Sequence, residues 1–219
     1  MDLSPLYLTI KVSLFATVFT VAIGLALALL LARRDFFGKN LVDVLIVQPL
    51  VIPPTVMGYY LLTAFGRASF LGRFLEDSLG LKLVFTWKGA ALAAFISSLP
   101  LFVKPARSAI ESVGRDMENA ARLLGKDEVT VFATITLPLA WRGIVAGAVM
   151  AFARATGEFG ATLMVAGNIP GRTQTMPVAI YDAVASGDTD SANMLVLIIT
   201  VFSFSVIYIV SRITKGKIQ

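Results

Sequence analysis

Three stretches of this sequence contain no charged side chain over a length that reaches across a bilayer. They cover residues 12–32, 44–66 and 191–211. An α-helix needs about 20 predominantly apolar residues to cross the hydrocarbon core. The whole chain is 57% hydrophobic and only 15% charged, which is too apolar for an ordinary soluble domain. The sequence therefore predicts a membrane protein with several crossing helices.

Two further segments complete the expected set of spans. The segment 87–106 begins with Trp87, an aromatic residue of the kind found at bilayer interfaces. The segment 140–166 is long enough to cross, and from residue 143 onward its only charges are Arg154 and Glu158. We expect an all-α, polytopic helical membrane protein. It forms one transmembrane domain over residues 1–219, with five spans at about 6–32, 44–66, 87–106, 140–166 and 191–213.

The distribution of basic side chains predicts the orientation of these spans. Cytoplasmic loops carry an excess of Lys and Arg. Twelve of the 19 lysines and arginines lie on one side of the predicted spans, and six lie on the other. We therefore expect the N-terminus outside and the C-terminus in the cytoplasm of a cell (inner) membrane. The twelve are Arg33, Arg34, Lys39, Lys104, Arg107, Arg115, Arg122, Lys126, Arg142, Arg212, Lys215 and Lys217.

Composition excludes several kinds of site. The sequence contains neither cysteine nor histidine, which removes disulfides, thiolate and Ser-His-Asp catalysis and most transition-metal sites. It also has no G-x-x-x-x-G-K-[ST] phosphate loop. We therefore expect no cofactor or metal in this chain. The formal charge of +5 does not indicate nucleic-acid binding, because the basic residues lie in short runs between apolar stretches.

Three prolines interrupt the second predicted span. Pro49, Pro53 and Pro54 each remove an internal hydrogen bond and so kink or loosen a helix. A helix kinked for packing would explain them. A bend that lines a pathway, with Thr55 facing a neighbour, would also explain them, because transporters use broken helices in this way.

Two charged residues lie in the fourth predicted span. Arg154 and Glu158 are four residues apart, and so lie on one face of a helix. A charge at that depth costs about 2.5–3.5 kcal/mol even on a lenient scale, so we expect the two to pair. The pair would either order the helix bundle or leave Arg154 free enough to meet an anion in transit. Gly157, Gly160 and Ala161 on the same segment suit either close packing or a narrow gate, and Thr156 and Thr162 could offer hydroxyls.

A short apolar piece, 176–181, follows on the outer side of the predicted topology. It is too short to span the bilayer. It would be either a surface helix at the interface or a partly re-entrant segment beside a pathway.

The segment between the third and fourth spans, about 111–138, predicts two short helices. Residues 117–124 favour a helix, and Gly125 can adopt the left-handed geometry that ends one. Asp127 can cap the next helix, and Pro138 marks the start of the fourth span. Such a helical knob would be either a docking element for a partner or a solvated loop.

This segment resembles the EAA motif of ABC-importer permeases. The motif has an acid, two alanines, a glycine four residues after the second alanine, and a distal I-x-L-P. The matching positions are Ala120, Ala121, Gly125, Ile135, Leu137 and Pro138. In that family the first short helix is the coupling helix, which sits in a cleft of the ATPase subunit. The resemblance assigns this coupling role to Glu118, Asn119, Ala120, Ala121, Leu124 and Gly125.

One position departs from the motif. Counting back from Gly125, the glutamate of the family falls on Asn119, and Glu118 lies one residue earlier. In the family the acid helps to fix the shape of the coupling helix. An amide can make some of the same hydrogen bonds, so the sequence leaves open which of the two residues has that role.

The resemblance extends along nearly the whole chain and is closest to the molybdate permease branch. The stretches that carry it are 48–59 and 152–177. It implies a permease that moves molybdate, or also tungstate, into the cytoplasm by alternating access. A permease for sulfate or another oxyanion is the alternative. A stand-alone anion channel or carrier is the distant one, since it would have no use for a docking helix.

The resemblance also implies the partners. They are a second copy of the chain, two cytoplasmic ABC ATPase subunits that bind ATP and Mg²⁺, an extracytoplasmic oxyanion-binding protein and membrane lipid. The chain itself would not be an enzyme. Conduction requires easy entry and exit, so we expect weak hydroxyl and amide contacts to the anion. The candidate pathway or gate residues are Pro53, Pro54, Thr55, Arg154, Glu158 and Thr162.

Overall fold

The computed structural model describes residues 3–215, apart from the side chains of residues 210, 211 and 213–215. All regular structure in this part of the chain is helical, which confirms the predicted all-α membrane fold. The helices are α1 (Ser4–Arg33), α2 (Lys39–Val51), α3 (Pro54–Phe65), α4 (Phe70–Leu79), α5 (Trp87–Glu111), α6 (Arg115–Leu123), α7 (Glu128–Val131), α8 (Leu137–Thr156), α9 (Gly160–Ala166), α10 (Met176–Ala185) and α11 (Thr189–Lys215). A π-helical turn (Phe132–Thr136) joins α7 to α8. Among the basic residues used for the orientation, Lys217 and the side chain of Lys215 lie outside the described part.

α5 is the central helix, and α1 runs parallel to it. The Phe15 ring of α1 lies edge-on to Trp87 at the start of α5. Further along, the Thr20 and Ser98 hydroxyls are 2.9 Å apart. α5 ends at Glu111, beyond the predicted boundary at residue 106. The other helices can be placed relative to its two ends, at Trp87 and at Glu111.

α8 packs on α5 in the opposite direction. Gly143 near its start faces Ala109, whereas Ala155 near its end packs in a cluster with Ala90. A Cβ on Gly143 would lie only 2.3 Å from the Cβ of Ala109. Small residues at such contacts let helices approach closely in lipid, where association depends on packing more than on the hydrophobic effect.

The second predicted span consists of two helices. α2 and α3 meet at a bend of 115°, because the backbone is extended at Ile52 and Pro53 and two consecutive prolines supply no N–H groups. The two ends of the pair lie towards opposite ends of α5. Asp43 in α2 pairs with Lys104 towards the Glu111 end of α5 at 2.8 Å, and the chain after α3 returns to Trp87 at the other end. Counting this pair as one span, the described residues contain five.

The fourth span begins earlier than predicted and is broken before its end. A continuous helical segment runs from Glu128 to Thr156. Pro138 lies at the second position of α8 and does not begin the span. Pro138 instead follows the π turn inside this continuous segment, where its missing N–H leaves a gap in the hydrogen-bond ladder. The single helix expected over 140–166 ends at Thr156, and α9 begins at Gly160.

α10 and α11 complete the fold. α10 contains the short apolar piece at 176–181. Its first amide, of Met176, donates to the Thr9 hydroxyl of α1 at 2.7 Å, and its Tyr181 ring lies 5.1 Å from the Phe159 ring. The choice between a surface and a re-entrant helix stays a prediction. α11 is long and apolar, and most of its described side chains are exposed.

Candidate functional site

The loop between α5 and the π turn holds two short helices, where the sequence predicts them. α6 ends near Gly125, whose φ of +80° is the left-handed geometry that favours glycine. The Gly125 amide donates to the Arg122 carbonyl at 2.9 Å. Asp127 precedes α7, and the hydroxyl of Thr130 donates to its carboxylate. This hydrogen bond holds the pKa of the Asp127 carboxyl below its usual value.

Glu118 is the buried acid of this loop. Its side chain is 3% exposed, and Arg33 Nη2 donates to its Oε1 at 2.7 Å. The hydroxyl of Thr136 donates to the same oxygen at 2.6 Å. Arg122 lies 3.8 Å from the other carboxylate oxygen. We call Arg33, Glu118 and Thr136 the Glu118 cluster.

The Glu118 cluster also reaches the end of α5. The same Arg33 nitrogen lies 2.8 Å from the Ile110 carbonyl oxygen and 3.1 Å from that of Val113, in position to donate to both. Carbonyls at a helix C-terminus carry a partial negative charge and lack partners in the helix, so a guanidinium stabilises them. One cluster thus joins the end of α1, the end of α5, the helix α6 and the π turn before α8.

Asn119 lies outside this cluster, on the exposed surface of α6. Its carboxamide oxygen accepts from Arg122 Nη1 at 2.8 Å. Arg122 also donates to both carboxylate oxygens of Glu128, at 2.7 and 3.0 Å. The bond to Glu128 raises the pKa of the Arg122 guanidinium above its usual value. Of the two candidates for the acid of the motif, Glu118 is buried and accepts from Arg33 and Thr136, whereas Asn119 lies on the surface.

Three large apolar side chains on and just after α6 are exposed. Leu123 is 89% exposed, Leu124 is 82% exposed and Met117 is 58% exposed. Large apolar side chains exposed together mark an interaction surface more often than chance. We call these three residues the α6 face. The six residues assigned to coupling separate into two groups: Glu118 and Ala121 are buried, while Asn119, Ala120, Leu124 and Gly125 are exposed.

Met117 and Leu123 are not among the residues that the motif assigns to coupling. The available signal was the presence of large apolar side chains in an otherwise polar loop between two spans. Helix periodicity places Leu123 on the side of α6 away from Ala121, but only the fold shows which side is covered.

A second polar cluster lies at the break between α8 and α9. Arg154 donates to Glu158 Oε2 at 2.7 Å, and the Glu158 side chain is 1% exposed. The Ser97 hydroxyl donates to the same oxygen at 2.8 Å. The Ala161 amide donates to Glu158 Oε1 at 3.0 Å. The expected pairing occurs, but α8 ends before Glu158, so the two residues do not share one helix.

Glu158 therefore has a second task besides pairing. Its carboxylate satisfies the Ala161 amide in the first turn of α9, in the manner of an N-terminal cap. Three donors from three elements meet at a single buried carboxylate. These contacts compensate the carboxylate at a depth where a lone charge would be costly.

The start of α3 packs directly on the start of α9. A Cβ on Gly160 would lie 2.9 Å from the Cβ of Pro54, and one on Gly58 would lie 2.9 Å from the Cα of Ala161. The predicted pathway residues near this contact differ in exposure to solvent. Pro53, Pro54 and Thr55 are exposed, whereas Thr162 is buried and its hydroxyl has no hydrogen-bond partner in the described part of the chain.

Comparisons with known proteins agree with this architecture. The model of the family described as "Binding-protein-dependent transport system inner membrane component" matches residues 21–216. The chain is 44% identical over 202 residues to the molybdenum transport system permease protein ModB of Escherichia coli (strain K12), covering 91% of this chain and 88% of the relative. It is 43% identical over 181 residues to ModB of Haemophilus influenzae, covering 83% and 79%.

Two solved structures share the fold. One is a bacterial ABC transporter involved in the import of the acidic polysaccharide alginate, with a TM-score of 0.80 and 14% identity over 99% of this chain and 80% of that chain. The other is an amino acid ABC transporter, with a TM-score of 0.67 and 18% identity over 98% and 92%. At these identities the likeness concerns the fold alone.

Proposed function

The chain belongs to the family of binding-protein-dependent transport system inner membrane components, and on this premise we propose that it is the permease subunit of an ATP-driven ABC importer of molybdate. The match over residues 21–216 confirms the resemblance found in the EAA motif. The relatives described above are named as permease proteins, and the chain is accordingly a multi-pass membrane subunit.

Molybdate is the substrate that the relatives support. Two relatives at 43% and 44% identity over most of their length are molybdenum transport permeases. Tungstate has the same charge and shape, so we propose that it shares the pathway. Sulfate or another oxyanion remains the alternative substrate.

The α6 face is the observation that carries the ATP-driven mechanism. Three large apolar side chains point away from the protein at one end of the bundle, on a helix that the Glu118 cluster fixes from behind. A short helix that presents an apolar surface suits a groove in a partner. We propose that this partner is a cytoplasmic ABC ATPase, which binds the ATP and Mg²⁺ and carries out the hydrolysis. A stand-alone channel would leave the α6 face without a role.

The Glu118 cluster gives a route from the ATPase to the spans. Displacement of α6 would act on α1 and α5 through Arg33, and on α8 through Thr136 and the π turn. Single π turns occur often at functional sites within helices. Closure of two ATPase subunits on ATP would thereby switch the bundle between inward-open and outward-open states.

The assembly that this mechanism needs contains two copies of the chain. α11 and much of the α2–α3 pair are exposed in a single copy, which leaves apolar helical surface available for a second copy. An oxyanion-binding protein would deliver molybdate on the side opposite α6. In this arrangement the N-terminus lies outside and the C-terminus lies in the cytoplasm.

The pathway is proposed to pass along the start of α3 and the break before α9. The exposed Thr55 supplies a hydroxyl, and Arg154 is 28% exposed while paired with Glu158. A partly exposed cation whose partner remains bound to Ser97 and Ala161 can attract a dianion without holding it tightly. Thr162 is buried beside this region and would contact the anion only if the α3–α9 contact opened.

Reconstitution tests the proposal directly. The chain should copurify with an ABC ATPase, and proteoliposomes of that complex should take up radioactive molybdate when ATP and an oxyanion-binding protein are supplied. Excess tungstate should compete, and excess sulfate should compete poorly. Uptake without ATPase would instead indicate a channel or carrier, and stronger competition by sulfate would indicate a sulfate permease.

A further inference from the structure

A deep apolar groove lies between α1 and α5, near the start of α5. Its volume is about 410 Å³, and it is lined almost wholly by apolar atoms. The side chains that shape it include Phe15, Phe19, Trp87, Ala91 and Phe95. The length and polarity of such a groove suit an acyl chain.

One lysine lines the groove, and a second lies over a ring that lines it. Lys88 lines it directly. Lys11 places its ammonium 4.0 Å from the centroid of the Trp87 ring, which also lines the groove. Lys39 and Lys104 each pair with an aspartate, whereas within residues 3–215 neither Lys11 nor Lys88 has a carboxylate at salt-bridge distance. Among the described residues, the two ammonium groups beside the groove therefore have no carboxylate counter-ion.

The groove opens on the side of α5 away from the pathway. Residues of a helix are separated by about 100° around its axis. Phe95 of the groove therefore lies roughly opposite Ala93, which packs against α3 and α9, and Ser97, which bonds to Glu158. In a single copy of the chain, Phe15 and Phe19 beside Phe95 are each 45% exposed, which leaves this side available to lipid.

We propose that this groove is a binding site for one anionic glycerophospholipid. An acyl chain occupies the apolar groove, and the phosphate and its negatively charged headgroup lie against Lys11 and Lys88. Trp87 marks the depth of the interface, as aromatic residues do at bilayer boundaries. A single ligand with one apolar and one anionic part matches both parts of the site. A zwitterionic lipid fits the groove but leaves the lysines less well neutralised.

Tryptophan fluorescence can test this site because the sequence contains only two tryptophans, Trp87 and Trp141. The Trp141→Phe variant is purified with its ATPase and placed in bilayers, so that Trp87 is the one tryptophan left in this chain. The fluorescence of a Trp87→Phe/Trp141→Phe complex, which comes from the partner subunits, is subtracted. Phosphatidylglycerol and phosphatidylcholine with brominated acyl chains are titrated separately. For each lysine that contacts the headgroup, brominated phosphatidylglycerol should reach the same quenching of Trp87 at about fivefold lower mole fraction than brominated phosphatidylcholine.

Lysine variants identify the source of any preference. In the Trp141→Phe background, Lys88→Gln and Lys11→Gln should each reduce the preference for phosphatidylglycerol about fivefold, while Lys88→Arg should keep it. Lys126→Gln, in the loop at the other end of the bundle, should leave it unchanged. Equal quenching by both lipids would overturn the headgroup assignment. Absence of quenching by either would show that protein, such as the second copy, covers the groove. Because the readout is lipid contact, neither result depends on transport.

Discussion

Arg33 at the end of α1 donates to Glu118 in α6 at 2.7 Å across 85 residues of sequence, and this contact fixes the coupling loop to the bundle. Both partners are largely buried, with 15% and 3% of their side chains exposed. Removing one member of such a pair leaves an uncompensated charge, which costs about 3–5 kcal/mol. The contact is therefore a sensitive point for the link between the loop and the spans.

Arg33→Met should abolish ATP-driven uptake while the subunit still inserts in the membrane. Glu118 would lose its nearest cation, and the Ile110 and Val113 carbonyls would lose the Arg33 donor. Glu118→Gln should be milder, because an amide oxygen still accepts from Arg33 and Thr136. Molybdate uptake and ATPase activity of the purified complex provide the readouts. Normal coupling in Arg33→Met would contradict a transmitting role for the cluster.

Leu123→Glu should prevent association with the ATPase. A buried carboxylate in place of an anchoring leucine should cost at least about 2 kcal/mol, or roughly 30-fold in affinity. Leu79→Glu is the matched control, since Leu79 is also an exposed leucine near the end of a short helix, at 64%. Copurification of the ATPase with each variant is the measurement. Equal recovery with both would remove the α6 face as the docking surface.

Gly125→Pro should uncouple the complex. Proline cannot adopt the φ of +80° at this position, and it removes the amide that donates to Arg122. Gly114→Ala is the control on the same loop, because Gly114 has a negative φ and open space around it. ATP-driven uptake should fall to background in the first variant and be retained in the second. Full uptake in Gly125→Pro would show that the shape of the loop does not matter.

Gly160→Ala should impair transport by separating α3 from α9. The new methyl group would lie 2.9 Å from Pro54 Cβ, and overpacking of this kind costs about 1–3 kcal/mol. Gly157→Ala, three residues away, has its nearest neighbour at 3.8 Å and should behave like the parent. Thermal stability and uptake are compared for the two variants. If both are equally active, close approach at Gly160 is not required.

Arg154 and Glu158 are tested by a pair of double variants. Arg154→Met/Glu158→Gln removes both charges but keeps a side-chain amide at position 158. Its oxygen can accept from the Ala161 N–H, and its nitrogen can donate to the Ser97 hydroxyl. Arg154→Met/Glu158→Leu leaves those two groups unsatisfied, at about 1–3 kcal/mol each. The first should assemble better than the second. Assembled but inactive Arg154→Met/Glu158→Gln would indicate that Arg154 guides the anion, and restored uptake would indicate a purely structural pair.

The proposed orientation can be tested by labelling, because the sequence contains no cysteine of its own. Single cysteines at Asn40 and Asp127 should react only with a membrane-permeant reagent. Cysteines at Asp77 and Asp188 should react with an impermeant one as well. The reverse pattern would invert the topology that the basic residues predict.

The sequence predicted the elements better than their junctions. Apolar length identified the spans, since burial of about 20 apolar residues leaves little choice in a bilayer. Pro53 and Pro54 predicted a bend, but the angle depends on how α3 packs against α9. The break before α9 was missed because the four-residue spacing of Arg154 and Glu158 fits a continuous helix as well as it fits the capped break that the structure has.

The roles within the coupling loop also depended on the fold. Spacing counted from Gly125 pointed to Asn119, and only the contacts of Arg33 and Thr136 distinguish Glu118 as the buried acid. Those partners come from α1 and from the π turn, which lie far away in sequence. A local motif does not contain this information, so the distinction could not be made before the structure.

The contact between Pro54 and Gly160 lies at a hinge in the bundle. α3 and α9 are pressed together along their length, and each is connected to its preceding helix through a break, at 52–53 and at 157–159. Because the two breaks lie side by side, rotation about a few backbone dihedral angles would tilt α3 and α9 as one lever while α2 and α8 stay in place. A passage beside this hinge could widen or narrow with little change in the packing of the central helix, α5.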